Sequence, residues 1–223
     1  MSTDNDLPSS LPPHFGDNRW RDQHDLFVLE SVDKEPDVLF IGDSHVALLE
    51  QSQVYNDLFA PLHCLCFGIL CDTTDRLLWR VRHGELDGIK PKIIVVSSGT
   101  FDLSNNADDT VGDLVKVVDV MRQKHPAAFV FVLKLLPTGR SANPRREFTS
   151  EVNERLDAAF PCNPDASVRT LCIDPGFTAA DGSIDHHDMF DYCHLTQEGY
   201  RKAFDIVFTA VDSVLHPERS SID

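Results

Sequence analysis

In the stretch VLFIGDSHVALLEQ, Val38 to Gln51, a small polar GDS stands between an apolar run and a helical pattern. The Ser44 hydroxyl is thereby set beside the free backbone N–H groups of a helix N-terminus. A hydroxyl there can attack a carbonyl if a base takes its proton, and the same N–H groups can hold the oxyanion that forms. A serine is also a common helix N-cap, so both readings of Ser44 are open. Further along, DMFDYCHLTQEGY carries Asp191 and His194 three residues apart, just ahead of the last helical pattern. A carboxylate so placed can orient the imidazole through its Nδ1–H and leave the other ring nitrogen to receive a serine proton. Asp191 could equally be a turn or cap residue. His186, His187 and His194 with Asp185, Asp188 and Asp191 could suggest a metal cluster, although they lack a strong metal-site spacing. His45, beside Ser44, is expected to point elsewhere on its helix. The first strand–helix turn has neither GxGxxG nor GxxxxGK[ST], which argues against a dinucleotide or P-loop site.

Elements able to position these groups can be read from the apolar pattern. Near-continuous hydrophobic runs at Val38–Ile41, Leu62–Phe67, Ile93–Val96, Phe129–Leu136 and Thr170–Ile173 predict strands buried on both faces. Helical patterns lie between them. Asp72 is a plausible N-cap before Leu77, Leu78 and Val81; Val111, Leu114, Val115 and Val118 share one stripe; Asn143 and Pro144 supply a cap and a first helical position. A last stripe runs through Phe204, Val207, Phe208 and Val211. Strands alternating with helices predict a three-layer α/β fold with a doubly wound, five-stranded parallel sheet, and such folds place chemistry at the carboxyl ends of the strands.

Composition bounds the rest. A chain of 223 residues with 42% hydrophobic content can bury one sizeable core, read here as a single domain over 19–216, with a flexible lead-in at 1–18 and a short tail at 217–223. With 36 acidic against 20 basic residues and a net charge of −16, broad attraction to nucleic acid or anionic membranes is disfavoured. Neither a signal peptide nor a membrane span is visible, which predicts a cytosolic protein. The cysteines, Cys64, Cys66, Cys71, Cys162, Cys172 and Cys193, include no CxxC pair and are expected to be small buried hydrophobes.

GDS after the first strand and DxxHL before the last helix resemble the SGNH hydrolases, serine esterases and lipases on a flavodoxin-like fold. The stretches EPDVLFIGDSHV, FGILCDTTDRLLWRVRHGELDGIKPKIIVV, LLPTGRSANPRR and HHDMFDYCHLTQEGY resemble more narrowly the catalytic α-subunits of intracellular, brain-type platelet-activating factor acetylhydrolase (type Ib). The likeness runs from about Arg19 to Leu215. It implies a homodimeric cytosolic enzyme, with no metal or cofactor, that removes the sn-2 acetyl group of platelet-activating factor. It further implies a triad of Ser44, Asp191 and His194, and a β-propeller regulatory partner associated with lissencephaly and dynein.

The resemblance also implies an oxyanion hole made of the serine N–H, a glycine N–H before the aspartate of a GIGGDTT stretch, and the side-chain amide of an asparagine in GTN. This chain departs at two of those places. Leu70 and Cys71 stand in GILCDTT, and Phe101 stands in GTFD. Cys71 keeps a backbone N–H, although its Cβ restricts the dihedrals that a glycine adopts freely. Phe101 has no donor, a loss of about 10²–10³ in turnover. Asp102, Asn105 or Asn106 could substitute only through a loop rearrangement. The degraded hole favours a weakly active or inactive subunit acting through dimerisation and partner binding; the alternative is an active serine esterase on platelet-activating factor or another small acyl ester.

Overall fold

The computed structural model describes residues 18–32, 34–102, 106–161 and 166–218. Five strands, β1 (Val38–Gly42), β2 (Cys64–Gly68), β3 (Ile93–Ser97), β4 (Phe129–Leu133) and β5 (Val168–Leu171), form one sheet in the order β2-β1-β3-β4-β5. Every pairing is parallel. The helices are α1 (Arg19–Glu30), α2 (Ser44–Leu49), α3 (Thr74–Arg82), α4 (Ala107–Lys124), α5 (Pro144–Ala159) and α6 (Gln197–Leu215).

Alternate strand residues build two cores. Leu39, Ile41, Ile94, Val96, Val130 and Val132 pack with apolar side chains of α1, α3, α4 and α5. Val38, Phe40, Ile93, Val95, Phe131 and Leu133 pack with α2 and α6 on the other face. Because side chains alternate between the faces of a strand, full burial of β1 and β3 requires helices on both sides. This is the expected three-layer, doubly wound arrangement. The chain moves from β1 outward to β2, then returns to β3 on the opposite side of β1. That reversal falls at the carboxyl ends of β1 and β3, the place where sheets of this kind bind their ligands.

Several boundaries differ from the sequence reading. Leu62 closes a short 3₁₀ turn, so β2 begins at Cys64. β4 stops at Leu133 rather than Leu136, and β5 lies two residues earlier than expected, as a half-buried edge strand. The amphipathic α1 was not foreseen, because only Trp20, His24 and Phe27 of its residues turn inward. Asn143 caps α5 with Pro144 at its first turn, as expected. No helix among the described residues is long and apolar enough to cross a membrane.

The cysteines differ from expectation. Cys71 and Cys172 are exposed, Cys64, Cys66 and Cys193 are half-buried, and all of these are free thiols. Cys64 and Cys66 lie on edge strand β2, which the sheet covers on one side only, and Cys71 lies in a turn. Cys162 and Asn105 are outside the described residues, as are residues 1–17 of the lead-in and 219–223 of the tail.

Candidate active site

Ser44 is positioned by backbone packing at the end of β1. Gly42 has φ +153°, and a Cβ there would lie 1.8 Å from the Ser97 carbonyl oxygen, so only glycine lets β1 pass β3 so closely. The Asp43 N–H then donates to that same carbonyl at 2.9 Å. Asp43, not Ser44, is the N-cap of α2: its side chain accepts from the His45 N–H at 3.0 Å. Ser44 is the first helical residue, fully buried, with its own N–H among the donors that lack an intrahelical acceptor.

The second strand–helix turn brings a donor to this hydroxyl. The Cys71 N–H donates to Ser44 Oγ at 2.8 Å, and Cys71 holds φ +56°, the left-handed conformation that glycine adopts without penalty. Its neighbour Asp72 does not cap α3. The Asp72 carboxylate is fully buried and accepts from Trp20 Nε1 at 2.9 Å and Arg80 at 2.7 Å. Arg80, also fully buried, reaches Glu85 at 2.8 Å and donates to the carbonyls of Gly42 at 3.2 Å and Phe67 at 2.6 Å. One guanidinium thus ties the end of β1, the end of β2 and the residue after Cys71. Burial lifts the Asp72 carboxyl to about 6, against the pull of Arg80.

The start of α3 is capped from another loop. Asp102 accepts from the Thr74 N–H at 3.0 Å, the Thr74 hydroxyl at 2.5 Å and the Thr110 hydroxyl at 3.0 Å. Asn106 caps α4 through Asp109 N at 2.9 Å. Asp102 carries acceptor oxygens that serve the start of α3, and the Asn106 side chain is held at the start of α4 through its Oδ1. Arg145 braces the same loop by donating to the carbonyls of Gly99, Thr100 and Asp102 at 2.7–3.1 Å.

Asp191 and His194 meet on the loop before α6. Asp191 Oδ2 lies 2.7 Å from His194 Nδ1, while Oδ1 accepts from the backbone N–H groups of His194 at 2.7 Å and Cys193 at 3.1 Å. Burial raises the Asp191 carboxyl, but these donors outweigh it and hold the group below its ordinary value. The rings of Phe101 and Phe190 run nearly parallel to the His194 ring, at 24° and 18° with centroids 5.6 and 5.8 Å away. Among the described residues the hydrogen bond of Ser44 Oγ is to Cys71, and none joins it to the His194 ring.

His45 points into this site rather than away from it. Its ring is 3% exposed, its centroid lies 6.3 Å from that of His194, and its Nε2 is 3.2 Å from the Cys193 carbonyl oxygen. A histidine beside GDS carried no sequence signal for that inward turn, and nothing in the pattern marked Arg80 as buried. The six-residue metal grouping does not converge. Only Asp185, His186 and His187 bring ligand atoms within 4.8 Å of one another, all exposed, whereas Asp188 pairs with Lys202 and Asp191 with His194.

The chain as a whole is similar to known proteins. Residues 40–202 match the model of the GDSL-like Lipase/Acylhydrolase family. The chain is 46% identical to platelet-activating factor acetylhydrolase IB subunit alpha2 of Rattus norvegicus over 206 residues, covering 91% of this chain and 89% of that one. Against subunit alpha1 of the same organism it is 46% identical over 204 residues, covering 90% and 87%. Among solved structures, a GDSL-like lipase from Bacteroides thetaiotaomicron superposes with TM-score 0.67 at 20% identity, covering 87% of this chain and 96% of that one.

Proposed function

The chain belongs to the GDSL-like lipase/acylhydrolase family and is homologous to the platelet-activating factor acetylhydrolase Ib α-subunits, and from that premise we propose that it is a weakly active or inactive member acting through dimerisation and partner binding. In this reading Ser44 is the nucleophile, His194 its base and Asp191 the group orienting His194. The observation that carries it is the aromatic ring of Phe101 against His194, in the loop where the family resemblance implies an amide donor. A nucleophile and a base without full oxyanion stabilisation still face most of the barrier. Full burial of the Ser44 hydroxyl supports the same reading, since an ester carbonyl must displace something to reach it.

A second reading, a slow serine esterase, is favoured by Cys71. Its N–H points at Ser44 Oγ from a glycine-like backbone conformation, so the change from glycine leaves that donor in place. The hole is then short of one donor, not two. The experiment is hydrolysis of platelet-activating factor and of a small activated acetate by the native chain, by Ser44→Ala, and by Phe101→Asn with Cys71→Gly. The double variant should gain at least ~10²-fold, and Ser44→Ala on that background should abolish the gain. Strong native turnover that depends on Ser44 would refute the inactive-subunit reading. Sedimentation should report a dimer near twice the 25.0 kDa chain mass; a stable monomer at micromolar concentration removes the support for the scaffold role.

A further inference from the structure

His45 has both ring nitrogens turned towards groups that can only accept. Nε2 is 3.2 Å from the Cys193 carbonyl oxygen, and Nδ1 is 3.5 Å from Asp43 Oδ1. A neutral imidazole has one N–H and one lone pair, so in either tautomer a lone pair would face an acceptor's lone pair. The ring is 3% exposed and Asp43 is 0% exposed, which leaves water little room to relieve that repulsion. Asp43 Oδ2 is buried without a hydrogen-bond partner among the described residues.

We propose that His45 is held as an imidazolium and is a positioning residue, latching the loop that carries Asp191 and His194 onto the helix that carries Ser44. Residues 44 and 45 are neighbours on α2, and 193 and 194 are neighbours on the loop. A bond from His45 to Cys193 therefore fixes the register in which Ser44 faces His194. The groups around the ring agree with a cation. Asp43 lies on its own turn, and Asp191, His194 and Cys193 lie on the facing loop. From α6 the Tyr200 hydroxyl donates to the His45 carbonyl at 2.8 Å. Burial pushes the Cys193 thiol up to about 12, so it remains neutral. Burial also works against charge on His45, but Asp43, the Cys193 carbonyl and Asp191 together raise its pKa above the ordinary value. The sign follows: the latch is complete below the ordinary histidine value and is lost as pH rises through the raised one.

The role rests on the reading of Ser44 and His194 as nucleophile and base, and the test separates the two. In the full chain with ¹⁵N-labelled histidine, both His45 ring nitrogens should carry protons at about pH 7.5, where a free imidazole of pKa ~6.5 is mostly neutral. Asp43→Asn keeps an equally good cap for α2 and should move the His45 midpoint down; that movement identifies the signal even if His45→Gln fails to fold. On the Phe101→Asn, Cys71→Gly background, fluorophosphonate labelling of Ser44 should fall at alkaline pH, and His45→Gln should remove that limb and lower the maximal rate. A His45 ring with one proton at pH 7.5 overturns the proposal whatever Ser44 does, and an alkaline limb unchanged in His45→Gln overturns the positioning role. A doubly protonated His45 with no labelling of Ser44 in any variant supports the latch and refutes the nucleophile reading.

Discussion

The two sides of the candidate site are built by different means. On the Ser44 side, Asp72, Arg80 and Glu85 are fully buried and the strand ends of β1 and β2 hang on one guanidinium. On the His194 side, the Asp191 side chain is 44% exposed and His194 19% exposed, and both ride on a loop of turns and isolated bridges between β5 and α6. The first is fixed by the sheet and its ion network. The second is held by hydrogen bonds within its own turns, such as Tyr192 N to the Met189 carbonyl at 3.0 Å, and by single bonds from elsewhere, among them Gly139 N to the Tyr192 carbonyl at 2.7 Å. The lesson is that a parallel sheet can guarantee where a serine stands while leaving a histidine to be placed one hydrogen bond at a time.

Variants can break or sharpen that contrast. The largest effect is expected from Asp191→Asn on the Phe101→Asn, Cys71→Gly background. Loss of the carboxylate frees the wrong histidine tautomer, and labelling of Ser44 or ester turnover should fall about 10⁴-fold with little change in melting temperature. Acid should act similarly, because Asp191 is held below its ordinary value: the pairing is present above the ordinary carboxylate range and lost as pH falls through the depressed value. A large loss of stability instead would mean that the loop is structural, and the contrast would fail.

Arg80→Met should do the opposite. It strands two buried carboxylates, so denaturant unfolding should show a loss of about 3–5 kcal/mol. A loss below about 1 kcal/mol would show that the ion network does not hold the strand ends. Cys71→Gly alone should stabilise by about 0.5–1 kcal/mol, as left-handed strain is relieved and partly offset by glycine's greater chain entropy. The smallest effect is expected from Lys202→Ala, which removes a partly exposed pair with Asp188. Less than about 1 kcal/mol should be lost, and less again in high salt.

The sheet was legible because β1, β3 and β4 are short apolar runs between turn residues, and such runs have few other ways to be buried. GDS and DxxH were legible as candidates because nucleophile and base chemistry depends on residue type, and the fold does bring Asp191 to His194. Edge strand β5 was misplaced because its inner and outer residues differ too little from its flanks. The capping of α3 by Asp102 was invisible, since the bond spans 28 residues and joins elements that meet only in the fold. His45 was misread for a related reason: which way a side chain turns on a six-residue helix is decided by α6 and the loop before it, not by the helix's own pattern.

The left-handed turn at Cys71 bears on mutational history. The contribution of residue 71 to the site is a main-chain N–H, so substitution changes the strain at that position but leaves the donor, and proline alone deletes it. At residue 101 the resemblance assigns the contribution to a side chain, and a single exchange erases it. Drift can therefore disable this hole at one address far more readily than at the other. Under the proposed reading the road back to activity is correspondingly short, because a backbone N–H aimed at the serine is in place.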